Sequence, residues 1–470
     1  MNEQLQAALT AAGHSIVMDA DTGHIQVRDE ALLRAQGIDA LMYLAVFGPL
    51  TRQPTARWLI WETAQALGIH PASIHDLYSG RGHDRMPHAF STPAMNLRAM
   101  SYDIARAAFR AALKGNVGAF MFELSRGEMA QTEQRPAEYT SAILAAAIKE
   151  GFRGPVFLQG DHFQVNARAY IANTEAELSG LRTLIHESLH AGFYNFELDT
   201  STLVDLSKPT LAEQQWLSAE LCAMLSDYIR THQPPRVTVS IGGEIGEVGD
   251  KNSDVHELRA FMDHYRRRIH HHPGLSKLSV HAGTTPGGLL RADGTLGPVV
   301  VDFAALKELS NAARREYAMG GVVLHGGSTL PPETLHRFVQ AGAIEVHLAT
   351  AFQNLLFEML PASLVSEMDA WLLKNAAHTR APGDTQGQFL YKTRRLVTGP
   401  FKKQMWYLPE DERAKIREAF EKRFAQLYAQ LGVERTVDTI TNVAPAAAHH
   451  KRVEDFQPMS APTSRTAQST

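Results

Sequence analysis

One cysteine, Cys222, stands in 470 residues. That excludes an intrachain disulfide framework and the cysteine-based zinc motifs, and it suits a reducing compartment. Long apolar runs are missing as well. Stretches such as 40–50 and 142–148 fall far short of the roughly 20 residues a membrane helix needs. Residues 1–10 carry Glu3 and no apolar core, so no secretory signal is expected there. Charge of one sign is scarce. With 46 Lys+Arg against 50 Asp+Glu, the net charge of −4 leaves no basic field for nucleic acid. No Gly-x-Gly-x-x-Gly follows a strand-like run, so dinucleotide binding has little support. The expectation is a soluble, cytoplasmic protein without nucleic-acid or membrane partners. What is present is ordinary globular composition, 44% hydrophobic and 20% charged.

Residues 1–86 read as a helical extension, because 38–47 and 56–67 show helical apolar spacing. Arg81 to Arg85 reads as a solvated connection. From 87 to 357, short apolar runs alternate with helical segments. The runs are 89–95, 117–124, 155–158, 193–198, 237–241, 278–280, 321–324 and 344–348. Continuous β-branched and aromatic runs suit parallel strands buried on both faces. Eight such strands over this length predict an α/β fold of the (β/α)8 TIM-barrel type, with an open doubly wound sheet as competitor. Residues 358–444 read as a second helical extension, in which 380–408 forms a basic loop. Residues 445–470 are Ala/Pro/Ser/Thr-rich and read as a disordered tail.

In such a barrel, functional residues gather at the carboxyl ends of the strands. The runs end, in order, at Asn96, at Ser125, at Asp161-His162, at Asp199, at Glu244, at His281, at His325-Gly326-Gly327-Ser328, and at His347 through Thr350. Imidazoles at 162, 281 and 325 with the carboxylate of Glu244 would share one rim. That set suits a divalent transition metal, most often zinc.

These residues also carry a resemblance. Residues 155–162, Pro-Val-Phe-Leu-Gln-Gly-Asp-His, resemble the Pro-Val-x-Leu-His-x-Asp-His signature of class II fructose-bisphosphate aldolases. Glu-Ile-Gly-Glu-Val-Gly from Glu244 resembles their Glu-Leu-Gly-x-x-Gly, and His-Gly-Gly-Ser from His325 resembles their phosphate loop. Met95-Asn96 and Leu124-Ser125-Arg126-Gly127 resemble two earlier motifs, in family order.

The resemblance implies a metal-dependent lyase of carbohydrate metabolism. It would reversibly cleave a carbon–carbon bond in a ketose phosphate, through an enediolate that the metal stabilises. It makes His162 and His325 metal ligands and Glu244 an auxiliary ligand. Asp161 becomes the general acid/base, and Glu247 the base at the donor carbon. Gly326, Gly327, Ser328 and Thr350 would bind phosphate, with Asn96, Ser125 and His347 elsewhere on the substrate. His281 is taken as the third imidazole ligand, although an alignment keyed on Gly287-Gly288 would place Pro286 there. The family's Asn-x-Asp-Thr on strand 8 appears as His347-Leu348-Ala349-Thr350, which leaves the substrate open. The binding partner would be a phosphorylated sugar or ketone, and the assembly a homo-oligomer, dimer or tetramer.

Two alternatives stay open. A barrel could bind sugar phosphate without turnover. Alternatively, His186-Glu187-Ser188-Leu189-His190 matches the His-Glu-x-x-His motif of zinc proteases, with Glu213 as a third ligand. Its position just before strand 4 would place it at the amino-terminal face, opposite the other histidines.

Overall fold

Parallel strands buried on both faces have no solvent side to set an alternation, so they appear as apolar runs closed off by glycine or polar caps. The computed structural model, which describes residues 3–19, 22–246, 251–283, 300–327, 330–444 and 448–457, shows eight of them. They are Thr92–Asn96, Met121–Ser125, Gly154–Asp161, Asn195–Leu198, Ser240–Glu244, Lys277–Val280, Val322–Leu324 and Glu345–Leu348. We number these barrel strands 1 to 8. Each pairs in parallel with the next, and strand 8 pairs with strand 1, which closes a (β/α)8 barrel. The expected runs and the observed strands correspond one for one. The competing open sheet is excluded by the pairing of Val346 with Pro93 and of Leu348 with Met95.

Helix ends are set by local chemistry. Ser125, Thr210 and Asp254 cap the helices Arg126–Gln131, Leu211–His232 and Val255–Arg268. In each case a glutamate three residues on reaches back to the cap. Gly192 ends the helix Thr174–Ala191 in a left-handed conformation, φ 95°. A side chain there would also strike Trp61, with a Cβ only 2.9 Å from the indole ring.

The segment before the barrel is more than a helical extension. It contains an antiparallel hairpin, Ile16–Met18 with Ile25–Val27, and a strand, Ile69–Ala72, that joins the barrel sheet. This strand pairs with the first half of strand 3, Ile69 opposite Gly154, while the second half of strand 3 pairs with strand 4. Asn195 holds the fork. Its Nδ2 donates to the carbonyls of Ala72 and Leu158, and its Oδ1 accepts from the N–H of Ile74.

Three further expectations are corrected. Arg81 is not solvated: it is 1% exposed, donates to the Phe90 carbonyl and lies over the Phe90 ring. Stacking on the ring and bonding the carbonyl offset part of the cost of burying the guanidinium, whose Nε and Nη2 have no hydrogen-bond partner. The basic loop is largely helical, with elements Gln386–Thr393 and Lys402–Trp406, and Lys402 pairs with the buried Glu138. The tail is not wholly disordered, because residues 448–457 lie against the helix Gln53–Ala66. The indole N–H groups of Trp58 and Trp61 donate to the carbonyls of Lys451 and His449. Among the described residues, no helix is long and apolar enough to cross a membrane.

Asn195→Ala should lower unfolding stability by about 3 kcal/mol, since it removes the partner of the buried Ile74 N–H, of the buried Leu158 carbonyl and of the half-buried Ala72 carbonyl. Urea unfolding measures it. A loss below about 1 kcal/mol would mean that the fork does not depend on Asn195.

Candidate active site

Successive residues of a strand face opposite sides. The interior of this barrel is therefore lined by one parity: Glu123 and Ser125, Gln159 and Asp161, Glu197 and Asp199, Lys277 and Ser279, Glu345 and His347. Deep inside, the Lys277 ammonium lies 2.5 Å from Glu345 and 2.6 Å from Gln159. His347 stands one layer higher. Its Nε2 is 2.7 Å from Glu345 and 3.3 Å from Glu197, and its Nδ1 is 3.1 Å from Asp161 and 3.2 Å from Glu123. Burial opposes a charged imidazole, but Glu123, Glu197 and Asp161 hold its pKa well above the usual range. Burial likewise opposes the Asp161 carboxylate, yet His162, His347 and His325 hold its pKa far below normal. Burial and the nearby Asp161 push Glu123 up.

Above this floor opens a pocket of about 310 Å³ at the carboxyl ends of the strands. Asn96, Ser125, Asp161, His162, Glu244, His281, His325, Gly326, His347 and Thr350 all line it. The sequence reading thus named residues that the fold brings to one cavity. Gly327 does not line it. A side chain at Gly327 would come within 2.7 Å of Val346, so close packing on strand 8 accounts for that glycine. Glu247, Ser328 and Pro286 lie outside the described residues.

Three ligand-type atoms, one each from His162, Glu244 and His325, lie within 4.8 Å of one another. The Glu244 Oε2 atom is buried without a hydrogen bond, 3.3 Å from His162 Nδ1. Burial and Asp199 push Glu244 up to about 8, so as a bare carboxyl it is uncomfortable here. An orphaned carboxylate oxygen between two imidazoles fits a divalent cation. Asp199 accepts from Gln164 and Ser201 and lies 3.4 Å from His162 Nδ1, the same nitrogen that faces Glu244. His281 stands apart. It lines the pocket, but its ring is outside this group of three. Its backbone is tied in both directions to Ser253, through 2.8 and 3.0 Å hydrogen bonds, and Glu244 completes the group instead.

Ser125 spends its hydroxyl as the helix cap, accepting from the N–H of Glu128. Asn96 donates to Glu128, while its Oδ1 is buried without a hydrogen bond. Sequence reasoning missed Arg98 and Glu128, which pair at 2.5 Å on the pocket wall. It also missed Glu123, Glu197 and Lys277 on the floor. Charged residues inside otherwise apolar strands were the signal for those three. Lys277 is fully buried against Glu345 and does not line the pocket, so it is placed to support the barrel and not to attack a carbonyl.

The protease motif is committed elsewhere. Glu187 is ion-paired with Arg135, and Glu213 is the capping partner of Thr210 at the start of its own helix. His186 and His190 stack on one another near the end of the helix that leads into strand 4.

The family model for class II fructose-bisphosphate aldolases matches residues 86–432. The chain belongs to that family. Solved structures similar to it share its fold at low identity. A fructuronate-tagaturonate epimerase from Cohnella laeviribosi has a TM-score of 0.53 at 12% identity, over 90% of each chain. A probable tagatose 6 phosphate kinase from Sinorhizobium meliloti has 0.50 at 18%, over 74% of this chain and 100% of its own. A fructose-bisphosphate aldolase from Campylobacter jejuni has 0.45 at 17%, over 78% and 96%. The family is typically metal-dependent, and His162, Glu244 and His325 of this aldolase-family chain form a group that could hold a metal ion.

His325→Ala and His162→Ala should each remove the pocket ion, whereas His281→Ala should keep it. Metal content per chain after dialysis measures this. Loss of the ion in His281→Ala, with the ion retained in His325→Ala, would reverse the assignment.

Proposed function

We propose that this protein is an aldolase: it cleaves and forms the bond between the α- and β-carbons of a β-hydroxy ketone carrying a phosphate. The observation that carries the reading is Asp161, ionised in a buried pocket beside an assembled metal-ligand group. His162, His325 and Glu244 would hold a divalent ion, of the zinc class by its donor set, which would supply Lewis-acid polarisation of the ketone oxygen. Asp161 takes the proton of the β-hydroxyl. The carbon–carbon bond then breaks, its electron pair going to the α-carbon, and the hydroxyl oxygen becomes the carbonyl of the departing aldehyde. Glu247 returns a proton to the α-carbon in this reading. His347, bonded to Asp161 at 3.1 Å, holds the carboxylate towards the pocket. Gly326 and Thr350, where the helix Thr350–Met359 begins, offer the phosphate backbone N–H groups and a positive helix end.

A second reading has one observation behind it. His347 stands against Asp161, so two proton-holding groups face the same reacting carbons. Cleavage followed by re-addition to the opposite face inverts one hydroxyl and releases nothing, and the similar structure from Cohnella laeviribosi carries an epimerase name. A panel of ketose phosphates and unphosphorylated ketoses separates the two: an aldolase releases aldehyde, an epimerase only an inverted ketose. Equal turnover of unphosphorylated ketoses would remove the phosphate from the proposal. Tight binding with neither product would favour a non-catalytic barrel.

Asp161→Asn keeps the shape and removes the proton acceptor. Cleavage should fall by roughly 10²–10⁴-fold, the usual worth of general acid/base catalysis, with metal content unchanged. Cleavage at the wild-type rate by this variant refutes the role.

A further inference from the structure

Three segments far apart in the chain meet on the helix Gln53–Ala66. Glu62 of that helix is 2% exposed. The hairpin turn brings His24 to it, and the C-terminal segment brings His450. The His450 Nδ1 atom lies 2.6 Å from Glu62 Oε2, and the two imidazole rings lie 4.0 Å apart. One ligand-type atom from each of the three residues falls within 4.8 Å of the others. The remaining Glu62 oxygen accepts from the N–H of Lys451 at 2.8 Å, which fixes the carboxylate with Oε2 turned to the imidazoles.

We propose that His24, Glu62 and His450 form a transition-metal site, separate from the pocket, that fastens the C-terminal segment to the N-terminal one. Two imidazoles and one carboxylate are a donor set for zinc-class ions, with water completing a four-coordinate shell. Ligands about 2.0–2.2 Å from a tetrahedral ion stand a little over 3 Å apart, within the spread seen here. The carboxylate held from behind by an N–H is the arrangement that orients metal ligands generally. The surroundings are built to hold this geometry. Trp61 and Trp58 donate to the carbonyls of His449 and Lys451, the N–H of His449 donates to Gln65, and Phe456 is buried just beyond. The site lies at the amino ends of the strands, since Trp61, the neighbour of Glu62, packs on Gly192 just before strand 4. It therefore cannot share an ion with His162 and His325. Its role is structural: the ion closes a loop that spans nearly the whole chain, and it neutralises a buried carboxylate.

The full-length protein, dialysed against zinc and then against buffer, should hold two ions per chain. His24→Ala and His450→Ala should each reduce this to one, and His325→Ala should also give one, from the other site. In the His325→Ala background, cobalt(II) should give a visible spectrum of a nitrogen- and oxygen-ligated ion. Adding His450→Ala should weaken that binding by more than about 10-fold. Trypsin cleavage at Lys451 and Arg452 should speed up when a chelator is added to wild type but not to His24→Ala, whose exposed hairpin position leaves the fold intact. One ion per chain in wild type, unchanged in His24→Ala and His450→Ala, overturns the proposal. So does cleavage of the tail at a rate indifferent to chelator.

Discussion

Lys277 is fully buried in the barrel, paired to Glu345, and much of the interior hangs on that pair. Glu345 also accepts from Tyr78 at 2.6 Å and lies 2.7 Å from both Gln159 and His347. One carboxylate thus joins strands 3, 6 and 8 to the helix His75–Gly82, which lies before the barrel in sequence. Buried charges cost several kcal/mol each in lost hydration, and only close, hydrogen-bonded pairing offsets that. The strands cannot shift register without breaking such pairs, because a one-residue slip would turn every one of these groups outward. Burial raises the cost of the Glu345 charge, yet Lys277 and His347 hold its pKa down to about 2.

The site inherits its order from this floor. His347 transmits it upward: one nitrogen faces Glu345 and Glu197, and the other faces Asp161 and Glu123. Asp161 is thereby held as a carboxylate against His347, which in the proposed acid/base role would spare it reorganisation cost. The imidazoles of His162, His325 and His347 follow one another with ring centroids 4.1 and 4.2 Å apart. Burial and the flanking His162 and His347 lower the pKa of the middle ring, His325.

The fold was legible because its strands are apolar runs with functional residues directly after them, a pattern visible along the chain. What stayed hidden depends on contacts that no periodicity encodes. The strand Ile69–Ala72 is too short to announce itself, and it is a strand only because Asn195 and strand 3 supply its partners. The docked tail has the composition of a disordered one, and two indole N–H groups hold it. At the site, the residues following the strands were readable, whereas Glu123, Glu197 and Lys277 interrupt apolar runs and look like defects until the barrel closes around them. Their shared parity with Ser125, Asp199 and Ser279 was the missed clue. His281 lines the pocket as its strand-end position implies, but its ring lies outside the group formed by His162, Glu244 and His325.

The distribution of charge within the pocket limits how a substrate can lie. Carboxylates crowd the side of strands 2 to 4, in Glu123, Asp161, Glu197 and Asp199. The side of strands 7 and 8 has Gly326, Ala349 and Thr350 at the rim, with backbone donors and the start of a helix. A phosphate placed near Asp161 would meet buried negative charge at low dielectric, which is prohibitive. A phosphate at Thr350 would lie away from those carboxylates, at the start of a helix. Arg98 adds a cation on the wall, but Glu128 already neutralises it. On the aldolase reading proposed above, a ketose phosphate would lie with its phosphate at strands 7 and 8 and the hydroxyl to be deprotonated at Asp161, the orientation that this charge pattern favours.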